Sequence, residues 1–413
     1  MKIVSKTSIT AIYLLFISMT NIWSGDIDIL LDKLVEKNII SGLEAHEIRY
    51  ETQEEVKKEI SLGINKTLPF WLQNITIGGD IRMRYQKDEN KNYDYKRERF
   101  RYRIRWFINS KVGDNLFIYS GFATGENDDS RSTNQTLTGN FSKKNIYLDY
   151  GYMEYYITPY ISINLGRIKQ AICYTNDMLW DGDINQEGGL LKIEKSFNIN
   201  YSNNISIGRF VIKENKDKKD LYLNYITNTL SWKSDDNFKK MNITSSYYNF
   251  ENLKGNTTFY QTINSISNGK YIYHYKPFVI DVNISKNIEE PLNLYKLNIN
   301  YLSIFSSYVI NTAISKDKKG WIVGFRIGQE KVSGSGDFQI AYSRRWLERD
   351  SWLDAYPDSD FYGGTTDVKG DRYTLSYGIS RDLILSLNYF DSKPIKRNKK
   401  PENIIQIDLV AKF

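Results

Sequence analysis

The residues with the clearest chemical potential are the arginines of RERFRYRIRWFI, residues 97–108, which occupy every second position from 97 to 105. An ordered row of guanidinium groups raises the local concentration of anions and can bind them. This spacing would spread charge around a helix, but it places all the arginines on one face of a β-strand. The stretch therefore predicts a strand with an apolar face and a basic face, the latter carrying Arg99, Arg101, Arg103 and Arg105.

The preceding segment, GGDIRMRYQ, repeats the pattern. Arg82 and Arg84 share one face with Asp80, whereas Ile81 and Met83 share the other. In an antiparallel pair the two arginine rows would be neighbours. If the apolar faces met lipid, turning one arginine outward would cost about 2–4 kcal/mol near the membrane midplane. The arginines of both rows are therefore candidate pore-lining residues of a water-filled interior.

Neighbouring guanidinium groups repel one another, so acidic side chains must compensate them. Two polar segments, 125–145 and 169–187, carry such side chains. If either folds inward, a basic wall would face an acidic loop and set a transverse field at the narrowest point of a pore. Alternatively, the loops only solvate the exterior, or the arginines form a structural ladder with nearby acids. The candidate constriction acids are Glu126, Asp128, Asp129, Asp181 and Asp183.

Few other residues could do chemistry. The sequence contains two histidines, His46 and His274, and one cysteine, Cys173. Hydrolysis needs a nucleophile and a base held together, and the residues around His274 suggest no such pair. The loop carboxylates do not follow the spacing of a calcium-binding loop. We therefore expect no enzymatic activity, no metal and no cofactor.

The elements that must position these residues are strands. From about residue 74 to residue 413 the apolar residues recur with a period of two. The pattern predicts about eighteen strands, with sixteen as the alternative count, each near the length that crosses a bilayer when tilted. Four of the predicted strands lie at 255–266, 271–284, 292–302 and 305–315.

The connections between the predicted strands alternate in length. Tight turns such as 113–114 and 380–382 alternate with gaps that include the long segments 125–145, 169–187 and 347–369. Outer-membrane barrels have short turns on one side and long loops on the other, whereas a soluble sandwich has no reason to sort its loops this way. The sequence therefore predicts an all-β, transmembrane, antiparallel up-and-down β-barrel spanning residues 74–413.

Both ends of the chain support export to an outer membrane. Residues 1–24 have the charged start and apolar run of a cleaved signal peptide. Residues 26–66 have helical spacing and predict a short periplasmic helical or coiled-coil segment. The last strand, NIIQIDLVAKF, carries an apolar comb that ends in Phe413, and this resembles the assembly signal of bacterial outer-membrane barrels.

Composition agrees with this interpretation. The mean hydropathy is −0.51, which is acceptable for a barrel because only alternate residues meet lipid. Aromatic residues make up 14% of the chain, and tyrosine suits bilayer interfaces. The net charge of +7 is too small to indicate a nucleic-acid partner.

A family resemblance follows from the order of several motifs. RERFRYRIR, SGFATGENDDSRSTNQTL, DMLWDGDINQEGG and WLDAYPDSDFYGGTTDVKGDRY resemble segments of the putative porin family of Gram-negative outer membranes. The similarity extends over residues 28–413, although residues 198–315 match poorly. The resemblance implies a single-chain outer-membrane porin with an N-terminal helical segment, and it suggests a homotrimer. It supplies no catalytic residues.

Three functions remain open. The first is a channel for passive diffusion of small hydrophilic solutes, with an anion bias if the arginines are unpaired. The second is a selective channel for phosphate or another anionic solute. The third is a non-conducting envelope tether or surface adhesin on a barrel scaffold. The expected partners are outer-membrane lipids, the solutes and the barrel assembly machinery.

Overall fold

The computed structural model describes residues 69–90, 96–236, 238–257, 262–294 and 297–413. The chain divides into two units, 1–73 and 74–413. The described part of the first unit contains one short helix, α1 (Phe70–Gln73). The predicted signal peptide (1–24) and helical segment (26–66) lie outside the described residues. Among the helices that are described, none has the length and apolar character needed to span a membrane.

Within the described residues, the second unit is a closed barrel of sixteen antiparallel strands. Each strand pairs with its sequence neighbours, and the first also pairs with the last, which closes the barrel. The strands are β1 (Ile75–Asn90), β2 (Arg97–Lys111), β3 (Leu116–Thr124), β4 (Ile146–Thr158), β5 (Ile161–Ile168), β6 (Gln186–Ser196), β7 (Tyr201–Lys213), β8 (Leu221–Lys233), β9 (Lys239–Glu251), β10 (Pro277–Leu294), β11 (Leu297–Asn311), β12 (Lys319–Gly328), β13 (Phe338–Leu347), β14 (Val368–Gly378), β15 (Leu383–Pro394) and β16 (Glu402–Lys412).

Three short elements lie in the connections. The two-residue strand Gln135–Thr136 pairs with β2. The segments Ile266–Ser267 and Lys270–Tyr271 form a separate small hairpin. Tyr362–Gly364 is a single 3₁₀ turn.

The predicted fold class is confirmed, but the preferred count of eighteen strands is wrong and the alternative count of sixteen is correct. The error lies in residues 255–315, where four predicted strands are replaced by a loop and by the long strands β10 and β11. Apolar and polar residues do alternate in the loop, but Tyr271 and Tyr275 pack into an internal apolar cluster instead of facing lipid. The turn at 267–270 closes only the small hairpin, so it does not join two barrel strands.

The connections sort by length. One end of the barrel, the short-turn end, carries the connections 112–115, 159–160, 197–200, 234–238, 329–337 and 379–382. The other end, the long-loop end, carries four long loops: 125–145, 169–185, 252–276 and 348–367. This sorting agrees with the sequence-based prediction.

The outward face of the barrel is apolar. Phe100 on β2 is 62% exposed and Met83 on β1 is 55% exposed. Their strand neighbours Arg101 and Arg84 point the other way and are half-buried and buried. A continuous exposed apolar surface is unfavourable in water, whereas it matches the hydrocarbon of a bilayer.

The interior of the barrel contains an apolar cluster that holds two long loops inside. Trp180 of loop 169–185 and Trp352 of loop 348–367 are 2% and 0% exposed, and their rings lie 5.5 Å apart. Tyr248 and Phe250 on β9 pack against Trp352 at ring distances of 4.9 and 5.6 Å. Each such side chain contributes about 1.5–3 kcal/mol when buried, so the loops fold inward instead of extending into solvent.

Candidate pore constriction

The two arginine rows are neighbours, as the sequence predicted. β1 and β2 pair in a register that sets Arg82 opposite Arg103 and Arg84 opposite Arg101. Like charges directly opposite one another destabilise a sheet unless other groups compensate them. The structure provides that compensation from strands and from loops.

Carboxylates on the barrel strands bind several of these arginines. Asp80 on β1 accepts hydrogen bonds from Arg103 at 2.7 Å and from Arg105 at 2.8 Å. Asp408 on β16 accepts two bonds from Arg84, from Nε at 2.6 Å and from Nη2 at 2.8 Å. This paired geometry is the strong, directional form of an arginine–carboxylate contact.

One more strand carboxylate belongs to this group. Asp88 on β1 accepts a bond from Arg99 at 2.6 Å. Each arginine row is therefore neutralised in part by acids that the same sheet supplies. Carboxylates of the loops must offset the remaining positive charge.

The two inward-folded loops supply that further charge. Asp360 of loop 348–367 lies 2.8 Å from Nη1 of Arg84, and Asp183 of loop 169–185 lies 3.7 Å from Arg105. The backbone N–H and the hydroxyl of Thr133 donate to Asp183 at 3.0 and 2.9 Å. Thr133 belongs to loop 125–145, whose Asn134 also contacts Arg82. Three loops therefore reach the wall that carries the arginines.

Loop 169–185 crosses the interior of the barrel. It leaves the wall between β5 and β6, and its Asp177 binds both Arg345 on β13 and Arg372 on β14, half the strand circuit away. The Arg345 side chain is almost completely buried. The hydroxyl of Thr175 in the same loop donates to Asp281 on β10 at 3.2 Å. A loop attached to several parts of the wall narrows the interior.

The two inward loops are joined by a group of carboxyls and backbone amides. Asp181 accepts hydrogen bonds from the backbone N–H of Ser359 and of Asp183, both at 2.9 Å. The backbone N–H of Asp181 donates to the carbonyl of Tyr356 at 2.7 Å, and that of Asp358 donates to the carbonyl of Asp177 at 3.2 Å. These contacts fix one loop against the other.

The carboxyls at this junction titrate differently because their neighbours differ. Burial, together with Asp358 and Asp183, raises the pKa of Asp181 to about 9. Burial and the charge of Asp177 raise the pKa of Asp358 to about 7. Burial alone would also raise the pKa of Asp360, but Arg84 lowers it to about 2. The ionised form of a carboxyl is thus favoured where an arginine stabilises it.

Three inward arginines lack a carboxylate within salt-bridge distance among the described residues. Arg82 donates to the side chain of Asn134 at 2.6 Å. Arg101 donates to Gln86 at 3.2 Å and to Ser132 at 3.3 Å. Arg326 on β12 donates to the carbonyl of Thr175 at 3.4 Å and stacks over the ring of Phe305 at 4.4 Å.

The sequence-derived acids therefore divide into two groups. We call the inward arginines and the loop carboxylates around them the charged zone: Arg84, Arg105, Arg345 and Arg372 with Asp177, Asp181, Asp183, Asp358 and Asp360. Asp181 and Asp183 lie in this zone, although only Asp183 is within salt-bridge distance of an arginine. Glu126, Asp128 and Asp129 are exposed, and no described basic side chain lies within salt-bridge distance of them. They border a cavity of about 330 Å³ at the base of loop 125–145.

Other members of the zone were missed. Asp358 and Asp360 belong to PDSD, within a motif that carried the family resemblance, but nothing in it indicated an inward direction. Arg345 and Arg372 belong to strands without an obvious arginine row. The two-residue alternation of each strand is the sequence signal that could have placed them on the inward face.

Phe413 completes the closure of the barrel. Its backbone N–H donates to the carbonyl of Gly79 at 3.1 Å, and the N–H of Gly79 donates back to its carbonyl at 2.9 Å. A Cβ at Gly79 would lie 2.7 Å from the ring of Phe413, so a side chain there would displace the ring. The terminal residue thus extends the pairing between β16 and β1.

One histidine and one cysteine lie in the described part of the chain. His274 and Cys173 are both exposed loop residues. No group of three or more histidine, cysteine, aspartate or glutamate side chains among the described residues could hold a metal ion.

The closed barrel, its apolar outer face and its charged interior define the class of channel-type β-barrels. A family model described as "Putative porin" matches residues 88–291 and 283–413 of this chain. The chain belongs to the putative porin family. The resemblance found in the sequence is thereby confirmed.

A solved porin shares the fold. The high-pH structure of Pseudomonas putida OprB aligns with a TM-score of 0.54 at 9% identity, covering 82% of this chain and 94% of that chain. Salmonella typhi OmpF in complex with daunomycin aligns with a TM-score of 0.48 at 11% identity, covering 82% of this chain and 98% of that chain. At 9% identity, the OprB alignment establishes similarity of fold alone. No curated protein sequence matches the chain significantly.

Proposed function

We propose that the chain forms a water-filled outer-membrane channel for passive diffusion of small hydrophilic solutes. The observation that carries this proposal is the charged zone inside the barrel, where loops 169–185 and 348–367 set carboxylates against inward arginines. Charges of opposite sign on facing sides of a narrow passage orient polar solutes and exclude apolar ones. The pore-lining role of Arg82, Arg84, Arg99, Arg101, Arg103 and Arg105 is part of this proposal.

The pairing of these arginines reduces the anion bias that the sequence suggested. Asp80, Asp88 and Asp408 on the strands, with Asp183 and Asp360 from the loops, offset most of the positive charge. We therefore expect weak anion preference. Narrow passages screen their wall charges incompletely at physiological salt, so a small excess of charge still acts on ions.

A second function, a selective channel for phosphate or another anionic solute, is favoured by one observation. Arg82, Arg101 and Arg326 make hydrogen bonds only to neutral groups among the described residues. Such guanidinium groups can accept an anion without first losing a carboxylate partner. Block of the chloride current by phosphate would favour this function over general diffusion.

The location and partners follow from the proposed channel. We expect removal of a signal peptide at residues 1–24, insertion by the barrel assembly machinery through a signal that includes Phe413, and contact of the apolar outer face with outer-membrane lipids. A homotrimer is the expected assembly. The family and the fold favour a channel over an enzyme.

A planar-bilayer recording of the purified barrel in a KCl gradient tests the proposal. We expect stepwise conductance and a reversal potential on the anion side of zero. Outward rectification or closure under voltage would be compatible with a channel, whereas a correctly folded barrel that never conducts would support the tether or adhesin function. A heat-modifiable gel shift provides the folding control.

A further inference from the structure

A group of aromatic side chains lines the inward face of β3 and β4, away from the arginine rows. We call these residues the aromatic track: Phe117, Tyr119, Tyr150, Tyr152 and Tyr156. The rings of Tyr119 and Tyr152 are stacked, 4.7 Å apart at an interplanar angle of 16°. Phe117 lies 6.5 Å from Tyr119 and 5.8 Å from Tyr156, and Tyr150 lies 6.2 Å from Tyr152.

The register shows that these rings face the interior. Arg105 on β2 is opposite Ala123 on β3, and alternation then places Tyr119 and Phe117 on the same inward face. Tyr119 in turn is opposite Tyr152 on β4. The adjacent residue Tyr155 faces outward and is 49% exposed.

The aromatic track leads toward the charged zone. Phe117 lies next to the short turn 112–115, and Ala123 lies beside Arg105. Tyr150 fills the step between them, since a Cβ at Gly121 would lie 2.2 Å from its ring. Three two-residue steps of a strand span about 20 Å, so the rings cover much of the path from the short-turn end to the arginines.

Lipid contact does not account for these rings. Outward tyrosines suit the bilayer interface, but the inward rings face the water-filled side of the wall. Most members of the aromatic track are half-buried, so part of their apolar surface stays uncovered. A solute that covers this surface while keeping its own polar groups hydrogen-bonded would bind there.

Polar groups beside the rings indicate the class of that solute. Glu154, on the inward face of β4, accepts hydrogen bonds from the Tyr119 hydroxyl at 3.2 Å and from Asn164 at 3.2 Å. Lys192 lies 3.5 Å from the same carboxylate. Flat rings bordered by hydroxyl and amide groups fit a molecule with an apolar face and hydroxyl-bearing edges. The pairing of Glu154 with Lys192 leaves little net charge to attract an ion.

We propose that the aromatic track binds neutral sugar rings and guides them between the short-turn end and the charged zone. The ring C–H groups of a sugar carry slight positive charge and stack on the negative faces of tyrosine and phenylalanine. Its hydroxyls then bond to the tyrosine hydroxyls and to the groups around Glu154. The assignment rests on the proposed channel function and names a solute class for it.

Single-channel recording with maltotriose added to the short-turn side tests the assignment. Wild-type channels are expected to show reversible current interruptions that increase with millimolar maltotriose. Sorbitol, which has hydroxyls but no ring, is expected to cause none. Tyr119→Leu and Tyr152→Leu, which keep apolar bulk and remove the flat ring, should each weaken maltotriose binding by about fivefold, the factor for one lost aromatic contact.

Tyr155→Leu is the matched control, because it removes a tyrosine from the same strand on the outward face. It should leave the interruptions unchanged. An open wild-type channel that ignores maltotriose would overturn the sugar assignment and leave the channel intact. Interruptions in both Tyr119→Leu and Tyr152→Leu that match those of wild type would do the same. Interruption by indole but not by maltotriose would overturn it in favour of planar aromatic solutes. A folded wild-type barrel without conductance would overturn both proposals.

Discussion

Asp177→Asn should change the ion selectivity of the channel without releasing loop 169–185. Asp177 binds Arg345 and Arg372, so the substitution removes one negative charge from a site with two arginines. Breaking a buried ion pair costs about 3–5 kcal/mol. The question is whether the loop stays docked after that loss.

The apolar contacts of the same loop are expected to keep it docked. Met178, Leu179 and Trp180 are all buried in the internal cluster. At about 1.5–3 kcal/mol each, together they stabilise the docked loop by at least as much as the ion pairs do. We therefore expect the loop to remain inside the barrel and the conductance at high salt to be nearly unchanged.

The expected effect is electrostatic. One unit charge acting through water at about 8 Å, screened at physiological salt, changes an ion's energy by about 0.2 kcal/mol. The substitution should therefore raise the chloride-to-potassium permeability ratio by about twofold, because the two ions respond in opposite directions. Reversal potentials in a KCl gradient measure this ratio. The effect should shrink at about 1 M salt, where the Debye length is about 3 Å.

Glu126→Gln provides the control, since it removes the same charge from an exposed rim position without a described basic partner within salt-bridge distance. It should alter selectivity much less than Asp177→Asn does. A large rise in conductance of Asp177→Asn with unchanged selectivity would refute the reasoning. It would mean that the ion pairs, and not the apolar cluster, hold the loop in place.

Three other predictions follow from the charged zone and the barrel seam. Replacing Arg101, Arg103 and Arg105 by glutamine should shift the reversal potential toward cations at low salt, and an unshifted potential would mean that these arginines lie outside the ion path. The raised pKa of Asp358, about 7 because of burial and neighbouring carboxylates, means that its stabilising protonated form is lost as pH rises through 7. Anion preference measured between about pH 5 and pH 8, below the pKa of about 9 of Asp181, should fall accordingly, and Asp358→Asn should flatten the profile in that window. Deleting Phe413 should lower the amount of heat-modifiable barrel in outer-membrane fractions, and undiminished assembly would contradict its role at the seam.

The strands could be predicted because alternation is a local property. The arginine rows needed only a period of two, and their register followed from the need to keep charge away from lipid. The count failed at 255–276 for the same reason, since alternation alone cannot tell whether an apolar face meets lipid or an internal cluster. Tyr271 and Tyr275 illustrate that ambiguity.

The contacts of the candidate site were less accessible to sequence reasoning because they join distant parts of the chain. Asp177 and Arg345 are separated by 168 residues, and nothing in either local pattern identifies the other as a partner. The acidic loops could be identified as candidates from composition, and Asp183 does reach Arg105. The direction in which each loop folds depends on Trp180 and Trp352, whose mutual packing is visible only in three dimensions.

Ion pairs and apolar contacts have different energetic roles, and this difference explains what the charged zone contributes. Buried ion pairs add little net stability, because the cost of removing both charges from water offsets most of their attraction. The apolar cluster around Trp352 is sufficient to hold the loops inside the barrel. We therefore expect the carboxylates that face Arg84 and Arg372 to act mainly on ions and solutes in the interior, by setting the sign and strength of the field across it. Substitutions there should alter selectivity before they alter assembly, whereas substitutions in the cluster should do the reverse.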